Sequence, residues 1–234
     1  MKNKIAVSTL SAAVLTAFAL SATNAHANTT GFGTLPGNPA NIYGGTGIPT
    51  TPSAYTIGSI GSGDTLTLAL STTAYGPSNP APTTTVNNVF NVGTGFTPST
   101  TRSLWDYDYY LNSANGTLSA YTFTLTLLNV GNGLSVSYNP FLVGDNNPKT
   151  AGSAGNAESL DFLIAALQYN ANLNDTYDVT LSATDGTTTL STSEQIIAGT
   201  GAAPVPEPTT IVAGGLMLLP FGIGALRKFR KSVA

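Results

Sequence analysis

The chain has no cysteine, a single histidine (His26) and few charges: 8% of its 234 residues are Asp, Glu, Lys or Arg. Without cysteine there is no disulfide scaffold, no thiolate zinc site and no cysteine nucleophile. Cations are scarcer still in the middle of the chain. Lys2, Lys4, Arg227, Lys228, Arg230 and Lys231 sit at the two ends. Between Asn28 and Ala203 only Arg102 and Lys149 face ten acids, so the body carries about −8. Binding to nucleic acid needs cations against phosphates, and this body does not supply them.

What is abundant is Thr and Ser, together roughly a quarter of the chain, well above ordinary usage. Gly (25) and Pro (14) add turn formers. β-branched Thr suits a pleated surface, and Gly and Pro punctuate the segments between strands. The ten tyrosines and the apolar content argue against a disordered chain.

The N-terminus reads MKNKIAVSTLSAAVLTAFALSATNAHANTT. Lys2 and Lys4 form a positive start, Ile5 to Leu20 an apolar stretch, and Ala25-His26-Ala27 offers small residues where a signal peptidase reads them. The expectation is a signal peptide over 1–27, with an apolar signal helix, cut after Ala27. Cleavage there removes His26. The remaining chain then has no imidazole for general base work, a Ser-His-Asp triad or a metal.

The other end reads VPEPTTIVAGGLMLLPFGIGALRKFRKSVA from Val205. Ile211 to Leu226 is sixteen residues without a charge. As a helix at 1.5 Å per residue it would be about 24 Å long, a little short of a ~30 Å hydrocarbon core. Thr209 and Thr210 can extend it to a transmembrane helix over 209–226, and Arg227 can snorkel to the headgroups. Its glycines are tolerated in lipid, where the helix is enforced, and Pro220 predicts a kink. The basic cluster Arg227, Lys228, Arg230 and Lys231 follows. By the positive-inside rule it stays cytoplasmic and holds the body outside.

This tail, Val205-Pro206-Glu207-Pro208, then an apolar helix, then a basic cluster, resembles the PEP-CTERM sorting signal. The resemblance covers residues 204–234. It implies recognition by an exosortase, a membrane-embedded cysteine transpeptidase-like enzyme, in a Gram-negative envelope of a cell that makes exopolysaccharide. The two prolines keep Glu207 in extended backbone that a protease can engage. The partners expected are therefore signal peptidase, exosortase, the membrane, and an exopolysaccharide. The expected route is export through the inner membrane, transient anchoring with the body outside, and then the outer surface or extracellular matrix.

Between the signals, 28–56 (TTGFGTLPGNPANIYGGTGIPTTPSAYT within it) is dense in Gly and Pro and reads as a loose leader. From 57 to 200 period-two alternation takes over. Leu66, Leu68 and Leu70 alternate within Asp64–Ser71, Phe123, Leu125 and Leu127 within Tyr121–Leu127, and Val179 and Leu181 within Tyr177–Ala183. Weaker strands are expected over 86–92, 103–111, 133–138 and 187–197. Asn115-Gly116, Asn132-Gly133 and Asp185-Gly186 read as hairpin turns. The segment 158–167, ESLDFLIAAL, fits a helical face (Leu160, Leu163, Ile164, Leu167) or an alternation (Leu160, Phe162, Ile164), and its neighbours favour a strand. The architecture expected is all-β, an antiparallel two-sheet β-sandwich, Ig-like or jelly-roll-like.

Chemistry in the body is sparse. On a strand, Trp105, Tyr107 and Tyr109 share one face, and Asp106 and Asp108 the other. The aromatics are candidate glycan contacts, against the alternative of a core strand. Asp145-Asn146-Asn147 offers oxygen ligands without a calcium-loop spacing, so no metal is assigned. A carboxylate pair could serve glycoside hydrolysis, but any two acids would fit that loosely. Asn28, Asn115 and Asn174 each begin a glycosylation sequon, and exposed threonines are candidate O-glycan sites. The sequence thus points to a sorted structural protein, not an enzyme and with no cofactor. A carbohydrate-binding module, a carboxylate-dependent glycoside-active enzyme, and a permanently anchored protein are the alternatives.

Overall fold

The computed structural model describes residues 28–201 apart from 38, 45–47, 62 and 99–101. In chain order the strands are β1 (Thr29–Gly33), β2 (Ser53–Ile60), β3 (Asp64–Ala74), β4 (Thr83–Val86), β5 (Val89–Val92), β6 (Trp105–Ser113), β7 (Thr122–Asn129), β8 (Ser135–Tyr138), β9 (Ser153–Glu158), β10 (Asp175–Thr184) and β11 (Thr189–Ala198). They form two sheets, β1-β2-β3-β6-β9 and β4-β5-β11-β10-β7-β8. The protein is all-β with two sheets. The signal segment and the tail lie outside the described residues. Among the described residues no helix is long and apolar enough to cross a membrane.

The alternating residues do what their period predicts. Leu66, Leu68 and Leu70 of β3 meet Phe123, Leu125 and Leu127 of β7 and Tyr177, Val179 and Leu181 of β10 in one buried cluster between the sheets. The threonines between them lie on the less buried face. Such burial of large apolar side chains stabilises by about 1.5–3 kcal/mol each before entropy is counted.

Four expectations are corrected. First, the pairing is not wholly antiparallel: β5 runs parallel to β11, from Val89 beside Gln195 to Val92 beside Ala198. Alternation decides which face is buried and says nothing about strand direction. Second, Asn115-Gly116 does not close a hairpin. It carries the chain out of β6 in the first sheet and, through a 3-10 turn at Leu118–Ala120, into β7 of the second. Asn132-Gly133 and Asp185-Gly186 do join antiparallel neighbours.

Third, within 158–167 only Glu158 is strand, as the last residue of β9, and 160–167 is helical. A 3-10 turn at Leu160–Leu163 leads into one α-helical turn, α1 (Ile164–Leu167). Ser159 caps it, its hydroxyl accepting from the Asp161 N–H. Leu160 and Leu167 are buried, seven residues apart on one helical face, while Phe162 and Ile164 are exposed. Neighbouring strands were the wrong guide, since the cap is a local signal.

Fourth, 28–56 is not a loose leader. Thr29–Gly33 pairs along β2, and Leu35, Ile42 and Tyr43 are buried against Ala69 of β3 and Tyr110 of β6. The Tyr43 hydroxyl donates to Ser53 Oγ at 2.7 Å. The leader is a third layer on the outer face of the first sheet. It has no period because it is not a regular element, yet three apolar side chains are enough to dock it. β9, SAGNAE, also gave no strand signal, having no large apolar residue. Its Gly155 explains why: a Cβ there would strike the backbone carbonyls of Ile42 and Tyr109. The leader backbone crosses β9 where there is no side chain.

Gly155→Ala therefore pushes the leader off the sheet. We expect a loss of about 2–3 kcal/mol, or roughly 5–10 °C in Tm, measured by thermal circular dichroism. New protease cleavage between 34 and 52 should accompany it. An unchanged Tm would mean that the leader is not packed here.

Candidate functional site

Strand β6, WDYDYYLNS, is buried on both faces. Trp105, Tyr107 and Tyr109 are 2%, 2% and 0% exposed and lie in the core between the sheets. Trp105 meets Tyr169 edge-on at 6.2 Å and tilts against Tyr177 at 5.9 Å. Tyr107 and Tyr138 share a hydroxyl–hydroxyl hydrogen bond of 3.0 Å, and Tyr109 donates to Asn146 Oδ1 at 2.7 Å. Stacking on a sugar needs an exposed ring, so the three aromatics are not glycan contacts as candidates on that strand. They are core, because β6 is an interior strand with the second sheet over its aromatic face.

The opposite face holds Asp106 and Asp108, which simple alternation would place in water. The leader covers it instead. Asp108 is 0% exposed; its Oδ1 accepts from Thr73 Oγ1 at 3.1 Å, and its Oδ2 has no hydrogen-bond partner. On the other side of β3, Thr72 Oγ1 donates at 3.2 Å to Glu194 of β11, whose Oε2 is likewise unpartnered. Adjacent threonines thus address two buried acids on opposite faces of one strand. Glu194 was missed in the sequence, although Leu190, Thr192, Glu194 and Ile196 share one parity and the apolar ones among them mark it as buried.

A carboxylate without full hydrogen bonding is costly to bury, so these groups hold their protons. Burial pushes the Asp108 carboxyl well above its ordinary range, and the nearby Asp106 charge adds to this. Burial lifts Asp106 to about 7, against the pull of Arg102. Burial lifts Glu194 to about 8, and Glu158 to about 7 with the Asp145 charge adding. Asp64 is the contrary case. Burial raises it, but hydrogen bonds from Ser113 Oγ (2.6 Å), the Tyr121 hydroxyl (2.9 Å) and the Asn115 N–H (3.1 Å) outweigh burial and hold it below the usual value.

In front of the two threonines lies a cleft of about 620 Å³. Ser71, Thr72, Thr73 and Ala74 form its floor, and Pro49, Pro52, Pro77, Pro82 and Phe90 are among its walls. Ser71 Oγ donates to the Pro52 carbonyl at 2.7 Å. The lining has no charged side chain, so the cleft suits a neutral group and offers neither an exposed nucleophile nor a base.

The loop acids do not form a metal centre. Asn146 is fully engaged, its Nδ2 donating to the carbonyls of Pro140 (2.8 Å) and Val143 (3.0 Å). Asp145 Oδ1 accepts from Asn156 at 3.2 Å. Among the described residues no group of three or more His, Cys, Asp or Glu is arranged to hold a metal ion. Ala25, Ala27, the Val205–Pro208 motif and the basic cluster at Arg227, Lys228, Arg230 and Lys231 lie outside the described residues. Compared with protein-family models, with curated proteins and with solved structures, the chain matches none of them.

The raised carboxyls set a pH dependence. The folded state retains protons on Asp106, Asp108, Glu158 and Glu194 that the unfolded chain releases near pH 4. For Asp106, Glu158 and Glu194 the contribution to stability is complete below about pH 4 and is lost as pH rises through about 7 to 8, and Asp108, raised by burial, acts in the same direction. Asp64 acts oppositely, its contribution fading as pH falls below about 4. Urea unfolding should therefore show greatest stability in mild acid and a fall of a few kcal/mol in order of magnitude by pH 9. Asp108→Asn with Glu194→Gln should flatten that fall. A double variant with the same slope would place the titration elsewhere.

Proposed function

We propose that the chain is an exported, envelope-sorted structural protein whose β body is cargo and whose two ends are addresses. One observation carries this reading: Val205-Pro206-Glu207-Pro208, a sixteen-residue uncharged run and an Arg/Lys cluster follow in that order, and Ala25-His26-Ala27 offers the small residues that a signal peptidase would read. In this reading signal peptidase removes 1–27, the 209–226 helix holds the chain in the inner membrane of a Gram-negative cell, and an exosortase acts near Glu207. The body, an antiparallel-rich sandwich of the Ig-like or jelly-roll-like kind, then joins the outer surface or an exopolysaccharide matrix.

The fold is consistent with such processing. Among the described residues the first strand begins at Thr29, just beyond the expected cut after Ala27. Asp64, Asp106, Asp108 and Glu194 are buried, and its outward strand faces present Thr and Ser. A threonine-covered surface stays hydrated without charge and offers hydroxyls for glycans. These features suit a matrix component better than a catalyst, so the carboxylate-dependent enzyme is not favoured.

The test is the intact mass of the protein recovered from an exosortase-bearing host. The expected product starts at Asn28 and lacks residues 211–234, and Glu207→Ala should retain the tail and stay with the membrane fraction. Recovery of the wild-type chain outside the cell with 211–234 still attached would overturn the sorting reading.

A further inference from the structure

Large apolar side chains left in water are few here and are not scattered. Phe96, Phe162, Ile164 and Leu173 are 42%, 63%, 51% and 57% exposed. All four stand at one end of the two-sheet body. Phe96 bridges to Ser103 just before β6, and the Gly95 N–H donates to the Ala171 carbonyl at 2.6 Å. Leu173 lies two residues before β10, its N–H donating to Asn170. Phe162 and Ile164 ride on the turn ending at Leu167, whose carbonyl accepts from the Asn129 and Asn132 side chains at the end of β7. The other two such side chains among the described residues, Val86 and Leu142, lie on β4 and on the turn after β8.

This is also the end at which the chain leaves the fold. Asp175, which opens β10, pairs with Ala198, which closes β11. Thr200 N–H donates to Asn174 Oδ1, one residue from Leu173. Nine residues lie between Gly201 and Ile211, where the uncharged run begins, so ten Cα steps span the gap. Fully extended they reach at most about 35 Å. A body tied to a bilayer by that tether has this end nearest the lipid, at an effective concentration in the millimolar range.

The rim of the patch suits a lipid headgroup layer. Asn132, Asn170, Asn172 and Asn174 are neutral. Two acids also lie at this end: Asp161 Oδ2 accepts from the Ser103 N–H and Ser159 Oγ, and Asp175 Oδ1 from the Thr176 N–H. The Arg102 guanidinium lies 5.0 Å from the Phe162 ring centroid.

We propose that this end of the body, through Phe96, Phe162, Ile164 and Leu173, docks on the outer face of the bilayer that holds the tail. The proposal rests on the anchoring part of the function proposed above. The side chains enter the headgroup boundary, at a depth of roughly 5–10 Å as interfacial apolar faces do. Docking fixes the orientation of the body over the membrane and holds the segment with Glu207 close to the interface. Weak insertion is sufficient because the tether supplies proximity.

The cysteine-free sequence makes the test direct. Full-length chains carrying Phe162→Cys, Ile164→Cys or Leu173→Cys, with Val86→Cys and Leu142→Cys as equally exposed controls, are labelled with a polarity-sensitive fluorophore. They are reconstituted into phosphatidylethanolamine–phosphatidylglycerol vesicles without exosortase. Labels at 162, 164 and 173 should be quenched by aqueous iodide at least about threefold less than labels at 86 and 142. Nitroxide-bearing lipid should quench the first three alone. Chains that float with the vesicles while all five labels quench alike leave the anchor standing and overturn the docking. Chains that do not float overturn both. Labels shielded from iodide yet unreached by the lipid nitroxide mean that protein, such as a second copy, covers this end, which also overturns it.

Discussion

The pairing of β3 with β6 at the middle of the first sheet, covered on both faces, is the constraint from which the rest follows. The second sheet lies on one side, and the leader with Leu35, Ile42 and Tyr43 lies on the other. A sheet covered once has a wet face, and polar residues on that face are solvated. A sheet covered twice has none. Every polar side chain on these two strands must then find a partner inside the protein or lose its charge. Thr72, Thr73, Ser71, Asp106 and Asp108 are all in this position.

The low overall charge and the buried acids belong to the same physical design. With two cations against ten acids in the body, ion pairs can neutralise only a minority of the acids. They are neutralised by protons or held by hydroxyl and amide donors, as the contrast between Glu194 and Asp64 shows. Solubility then depends on threonine and serine on the outward strand faces. A body of this kind is least troubled in mildly acidic surroundings.

Beyond the core the body carries a proline-walled cleft over Ser71, Thr72 and Thr73 and, at the end where the chain departs, the exposed apolar side chains of Phe96, Phe162, Ile164 and Leu173.

Strand faces and the hairpin turns at Asn132-Gly133 and Asp185-Gly186 were legible in the residues, because each depends on local spacing. Leu66, Leu68 and Leu70 must share a face in any extended chain. Glu194 was legible too, by its parity with Ile196, but the reading stopped at the apolar residues. The folding of the leader, the direction of β5, the identity of β9 and the burial of Trp105, Tyr107 and Tyr109 were decided only by tertiary structure. None of these has a local cause. The aromatics are core because a second sheet happens to lie over them, Asp108 is buried because residues near 43 cross back over β6, and β9 is a strand because Tyr110 and Leu111 offer it hydrogen bonds that a glycine can approach.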